Sequence, residues 1–193
     1  MEFNNAMFSS DYQNLESDIV FSIDNYTQTG EKPIGEDEYG NPIWPATSYT
    51  EIGKMVRDYK YCNKNECLNS LAEILVEYIT RSKELKEFTA LVSCPSKKLA
   101  PVVELAAVKL NMHSYDYLIK KKPFSMKKTL KNERSNKAKL IECSKPIPAG
   151  EKIILIDDII ETGATMQACR DALKKMQPIL ELKLLAMART LLS

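Results

Sequence analysis

The sequence predicts an α/β protein, with a mainly parallel β-sheet flanked by helices. Three observations carry this. From residue 88 onward, short apolar runs alternate with helical periodicities, the pattern of βαβ units whose crossovers lay helices on a parallel sheet. The run Lys152-Ile-Ile-Leu-Ile-Asp157 is apolar without polar alternation, as expected of a strand covered on both faces. That strand leads at once into two adjacent acids, a Thr-Gly-Ala-Thr turn and a helix. Sheets of this class hold ligands beyond the carboxyl ends of their strands.

Taken in order, residues 1–17 read as weakly ordered. Asp18–Tyr26 alternates well enough for a strand. A turn-rich segment from Gly30 to Asn41 then leads to Pro42-Ile-Trp44-Pro45, which reads as a β-hairpin or two short strands around an acidic loop. Glu51–Tyr61 is expected to be a helix. Asn65–Arg81 is a clearer one, because Leu68, Leu71, Ala72, Leu75 and Ile79 recur at helical spacing. Phe88–Cys94 is a short buried strand and Pro95–Lys98 a loop with two bases. Leu99–Leu110 is a helix with Leu99, Val102, Val103, Ala106 and Leu110 on one face, and Pro101 fits its first turn. Ser114–Ile119 reads as a strand, residues 120–140 as a basic loop, Lys152–Asp157 as a strand, Thr165–Met176 as a helix and Glu181–Ala188 as a further strand. The expected organisation is an acidic segment over 1–49 followed by one domain over 50–193.

Composition narrows the class. The 193 residues have a net charge of +1, which hides an asymmetry. Residues 1–51 carry ten acids and one base, Lys32, whereas residues 120–139 carry nine bases and one acid, Glu133. The five cysteines are scattered, and Cys62 and Cys67 have no second pair downstream to complete a zinc site. Reduced thiols and the absence of a signal-like or membrane-length apolar run point to a cytoplasmic protein with no membrane partner.

The chemistry concentrates at the strand ends. Asp157 and Asp158 can hold sugar hydroxyls or a metal such as Mg²⁺; the plainer role is a strand-end Asp capping the next helix. Thr162-Gly163-Ala164-Thr165 offers main-chain N–H groups and two hydroxyls, with Gly163 permitting close approach and the following helix dipole favouring a phosphate. In the loop after Cys94, Ser96, Lys97 and Lys98 are apt for a diphosphate. The basic run reads as a solvated charge run or a nucleic-acid contact, the latter weakly supported because Phe124 is its single aromatic residue. His113 lies outside every motif. Cys94 has no histidine partner in sequence and reads as a buried strand thiol.

The segment Ile154-Leu-Ile-Asp-Asp158…Thr162-Gly-Ala-Thr165 resembles the phosphoribosyl-diphosphate (PRPP) signature of type I phosphoribosyltransferases. The resemblance implies that Asp157 and Asp158 lie along the ribose hydroxyls, as catalytic acids and as the metal-side acids. It implies that Glu161, Thr162, Gly163, Ala164 and Thr165 cradle the 5-phosphate, with Glu161 standing where the family more often has a small residue. It further implies that Ser96–Lys98 meet pyrophosphate, and that the loop Lys120–Lys139 is a lid bringing Lys127, Lys128, Lys131 and Arg134 to the leaving group. A small N-terminal hood over the acceptor would include Tyr39 and Trp44. Val56–Tyr61, Lys128–Asn136 and Leu185–Thr190 are similar to segments of the ComF-like (competence protein F) subfamily, whose N-terminal zinc finger is missing here. The implied activity is Mg²⁺-dependent transfer of ribose 5-phosphate from PRPP to a nitrogen acceptor. The alternative is a non-catalytic member of the fold that binds nucleic acid, a protein partner or a second copy of the chain.

Overall fold

The computed structural model describes residues 7–8, 20–28, 35–36, 38–39, 42–43, 48–121, 140–177 and 181–190. Its centre is a six-stranded sheet in the order β1 (Met7–Phe8), β2 (Val20–Asn25), β12 (Glu181–Arg189), β11 (Lys152–Ile160), β7 (Ala90–Ser93) and β8 (His113–Tyr115). The five strands from β2 to β8 are mutually parallel, and β1 pairs antiparallel with β2 at the edge. This is the α/β fold with a parallel sheet that the alternation predicts, and its parallel core has five strands.

Among the described residues the helices are α1 (Glu51–Tyr61), α2 (Cys67–Arg81), α3 (Leu99–Leu110) and α4 (Ala164–Met176). Helices α1, α2 and α3 pack in succession, α1 also meeting β2 and β12, and α3 meeting β7 and β8. Helix α4 packs on β11 and on a separate antiparallel ladder of β9 (Leu118–Lys120) and β10 (Ile141–Cys143). Ile153, Ile154, Leu155 and Ile156 of β11 are all fully buried, so the central strand is covered on both faces.

Several local expectations are refined. The strand expected over Asp18–Tyr26 enters the main sheet beside β12, so this part of the acidic segment is integral to the core. The expected hairpin is present as β4 (Gly35–Glu36) against β5 (Pro42–Ile43), and β3 (Thr27–Gln28) pairs with β6 (Ser48–Tyr49). Met7–Phe8 is strand rather than weakly ordered chain; the rest of 1–17 lies outside the described residues. Ser114–Ile119 is two strands, because β8 stays with β7 while β9 turns away to pair with β10.

Candidate active site

The acids sit where one strand stops and its neighbours continue. Ile156 pairs with Ser93, the last residue of β7, and the Cys94 N–H then donates to the Ile156 carbonyl at 2.8 Å. Beyond that point β7 departs, while β11 remains paired with β12 as far as Ile160 and Arg189. A crevice opens beside the carboxyl half of β11. Asp157 and Asp158 therefore lie within the strand rather than at its end, a correction to the expected boundary, and its cause is the continued pairing with β12.

Both carboxylates are nearly enclosed, 8% and 7% exposed. Adjacent strand residues face opposite sides. Asp158 points toward α1, where its Oδ1 accepts from Lys60 Nζ at 2.6 Å and from the Ile159 N–H at 2.8 Å. Asp157 turns the other way, and its Oδ1 accepts the Asp158 N–H at 2.9 Å. Burial, followed by the neighbouring charge of Asp158, raises the Asp157 pKa to about 7. For Lys60, burial acts downward, but the charge and hydrogen bond of Asp158 outweigh it and hold the ammonium above its ordinary value.

Next along the chain comes the turn. Glu161 and Thr162 are half-buried, and Gly163 and Ala164 are buried. Gly163 adopts φ 73°, a left-handed conformation that favours glycine, and the helix starts at Ala164, one residue before the expected Thr165. The N-cap residue of α4 is Gly163, which has no side chain to cap the helix.

The loop after β7 contributes differently from what its residue types promise. Ser96 caps α3: its Oγ accepts from the Leu99 N–H at 3.4 Å, and its carbonyl accepts from the Leu99 and Ala100 N–H groups. Lys97 is exposed. Lys98 lies 5.1 Å over the Tyr59 ring and donates to Asn65 Oδ1 at 3.2 Å. Lys98, Lys60, Tyr59, Val102, Met187 and Asp158 line one cleft between α1 and α3. Lys128, Arg134 and Trp44 lie outside the described residues, while Tyr39 is 81% exposed.

Lys60 falls within Val56–Tyr61, a segment marked from sequence for its subfamily resemblance, but it was given no role in the site. Its signal was present, since Ile52, Val56 and Tyr59 mark the buried face of α1 and Lys60 follows Val56 by one helical turn. The Cys94 thiol is pushed well up by burial and by contact with Cys169 on α4, which suits a packed thiol and not a nucleophile. His113 is exposed on β8 and pairs with Glu151, outside the crevice.

Two enclosed acids on β11, followed by a glycine turn and a helix N-terminus, thus lie at the carboxyl ends of a parallel sheet, the place where sheets of this class hold ligands. The phosphoribosyl transferase domain family model matches residues 70–189, which span β7, α3, β11, α4 and β12, and the chain belongs to that family. No curated protein sequence matches the chain. Among solved structures it is similar to adenine phosphoribosyltransferase from Leishmania tarentolae (TM-score 0.48, 10% identity, 95% of this chain and 94% of that one). It is also similar to orotate phosphoribosyltransferase from Aeropyrum pernix (TM-score 0.45, 12% identity, 80% and 72%). A third similarity is to Leishmania donovani UMP synthase (TM-score 0.40, 14% identity, 82% of this chain), of whose length it spans 27%.

Proposed function

We propose that the protein binds PRPP and transfers its ribose 5-phosphate to a nitrogen nucleophile, releasing pyrophosphate. The observation that carries this reading is the enclosed Asp157–Asp158 pair placed directly ahead of the Gly163 turn and the α4 N-terminus. In the reaction the bond from C1 to the diphosphate oxygen breaks, a C1–N bond forms, and positive charge develops at C1 and the ring oxygen. The protein's contribution is positional and electrostatic. Asp157 and Asp158 take the ribose hydroxyls. The amides from Glu161 to Thr165 take the 5-phosphate. Ser96, Lys97 and Lys98 serve the diphosphate, joined by Lys128 and Arg134, which are assigned from sequence alone.

Among the described residues no three His, Cys, Asp or Glu side chains converge on a metal-sized position, and Asp158 is already held by Lys60. Mg²⁺ is ordinarily held by one or two carboxylates together with substrate phosphates, so the two aspartates need form no closed cage. Mg²⁺ is assigned to the substrate as its diphosphate counter-ion, retaining waters that Asp157 and Asp158 can meet.

The test is a melting experiment. PRPP with Mg²⁺ at millimolar concentration is expected to raise Tm, and Asp157→Asn combined with Asp158→Asn to abolish the rise. An unshifted Tm for the unaltered chain overturns the reading. A second reading is a non-catalytic family member, of the ComF-like kind, that binds a partner or nucleic acid. Glu161 in the phosphate turn favours it, as does the Lys60–Asp158 pair, which engages one acid. Pyrophosphate release with a panel of nitrogen acceptors supports the enzyme; salt-sensitive nucleic-acid binding without turnover supports the second reading.

A further inference from the structure

We infer that Lys60 of α1 is a donor-binding residue that exchanges partners: it pairs with Asp158 in the empty site and with the donor's diphosphate in the loaded one. The inference rests on the transferase reading above and extends it to a helix outside the segments that carry the PRPP signature.

The geometry begins with a cost. Lys60 has only 28% of its side chain exposed and Asp158 10%, so both charges have lost much of their hydration. Buried ion pairs contribute little net stability compared with apolar residues of similar volume. Val56 and Tyr59 show that α1 supplies apolar contacts on this face readily. A lysine here is therefore poorly explained by packing.

Its surroundings point to an anion. Lys98 lines the same cleft from the start of α3, so two ammonium groups approach one space that holds a single carboxylate on that side, Asp158. Each is held by a replaceable contact: Lys60 by Asp158 at 2.6 Å, and Lys98 by a neutral amide, Asn65, at 3.2 Å. When Asp158 turns to a ribose hydroxyl, its ammonium partner is released beside the incoming diphosphate. A flexible four-carbon stem with three donors suits such an exchange better than a planar guanidinium does.

The two halves of the donor separate this role from a structural one. Calorimetric titrations would use inorganic pyrophosphate with Mg²⁺ in one arm and ribose 5-phosphate in the other, on the whole chain. Lys60→Met is expected to weaken pyrophosphate binding by about tenfold or more while changing ribose 5-phosphate binding by no more than about threefold. Lys60→Arg, which keeps the charge, is expected to recover part of the pyrophosphate affinity, and this also guards against a folding defect in Lys60→Met. Pyrophosphate affinity unchanged in Lys60→Met overturns the assignment, as does a loss confined to ribose 5-phosphate, which would make Lys60 only a support for Asp158. If the unaltered chain binds neither probe, the transferase reading itself fails, an outcome distinct from both.

Discussion

At the scale of single residues, two carboxylates carry opposite pH signatures. Asp157 has its pKa raised to about 7, first by burial and then by Asp158. The folded state thus holds this proton more tightly than the unfolded chain does, and the resulting stability is full below the unfolded value of about 4 and lost as pH rises through about 7. Asp157→Asn removes the titration, so its Tm is expected to gain on the parent between pH 5 and pH 7 and the gap to level off above that, measured without Mg²⁺ or ligand. A gap that stays constant across that range counts against the assigned environment. Asp58 behaves in the reverse sense. It is buried on α1 and receives Lys64 at 2.7 Å, Arg57 at 3.1 Å and Lys54 at 3.2 Å. The Lys64 hydrogen bond, against the pull of burial, and then Lys54 lower its pKa to about 2. Its contribution is present above the unfolded value of about 4 and lost as pH falls through about 2. Asp58→Asn is therefore expected to melt lower than the parent at pH 6 and to converge with it near pH 2. Asp157 and Asp158 were legible from sequence because two acids after an apolar run are a local pattern. Lys60 and Asp58 were not, because each acquires its meaning from a partner on another element or across a turn.

At the scale of elements, α1 shows how closely a helix start can be specified. Thr50 caps it, its Oγ1 accepting the Gly53 N–H at 3.0 Å while donating to the Asn25 carbonyl. Gly53 lies against β2: a Cβ there would stand 2.0 Å from the Tyr26 carbonyl oxygen. Alanine is the better helix former by about 1 kcal/mol. Gly53→Ala is nevertheless expected to destabilise by about 1–3 kcal/mol, the usual cost of overpacking, because backbone must move. Urea unfolding would measure it, and a stabilised variant would show that α1 does not sit this close to Tyr26. Helix limits were largely readable, α1 at both ends and α3 at both ends, since their apolar spacing is local. The division of Ser114–Ile119 into β8 and β9 was not, since β9 finds its partner only at Ile141–Cys143, beyond a basic segment without apolar period.

At the scale of the whole molecule, strand–helix alternation disclosed the parallel sheet but not its order. Nothing in Val20–Asn25 announces that its neighbour will be Glu181–Arg189, more than a hundred and fifty residues downstream. The pairing makes β2 part of the core, and Ile23 is fully buried. Ile23→Asp is accordingly expected to abolish cooperative thermal unfolding or to lower Tm sharply, since it buries an unpaired charge. A near-normal melt would mean that β2 is a detachable cover rather than a core strand. The same pairing constrains how the chain acquires its shape. The strand next to the acid-bearing one is bordered on its far side by a segment from much earlier in the chain. The apolar Val-Phe-Ser-Ile stretch therefore stays unmatched on that side until the later strand has been made. Such long-range closure places folding toward the slow end of the range for small domains and leaves the newborn chain dependent on protection from self-association.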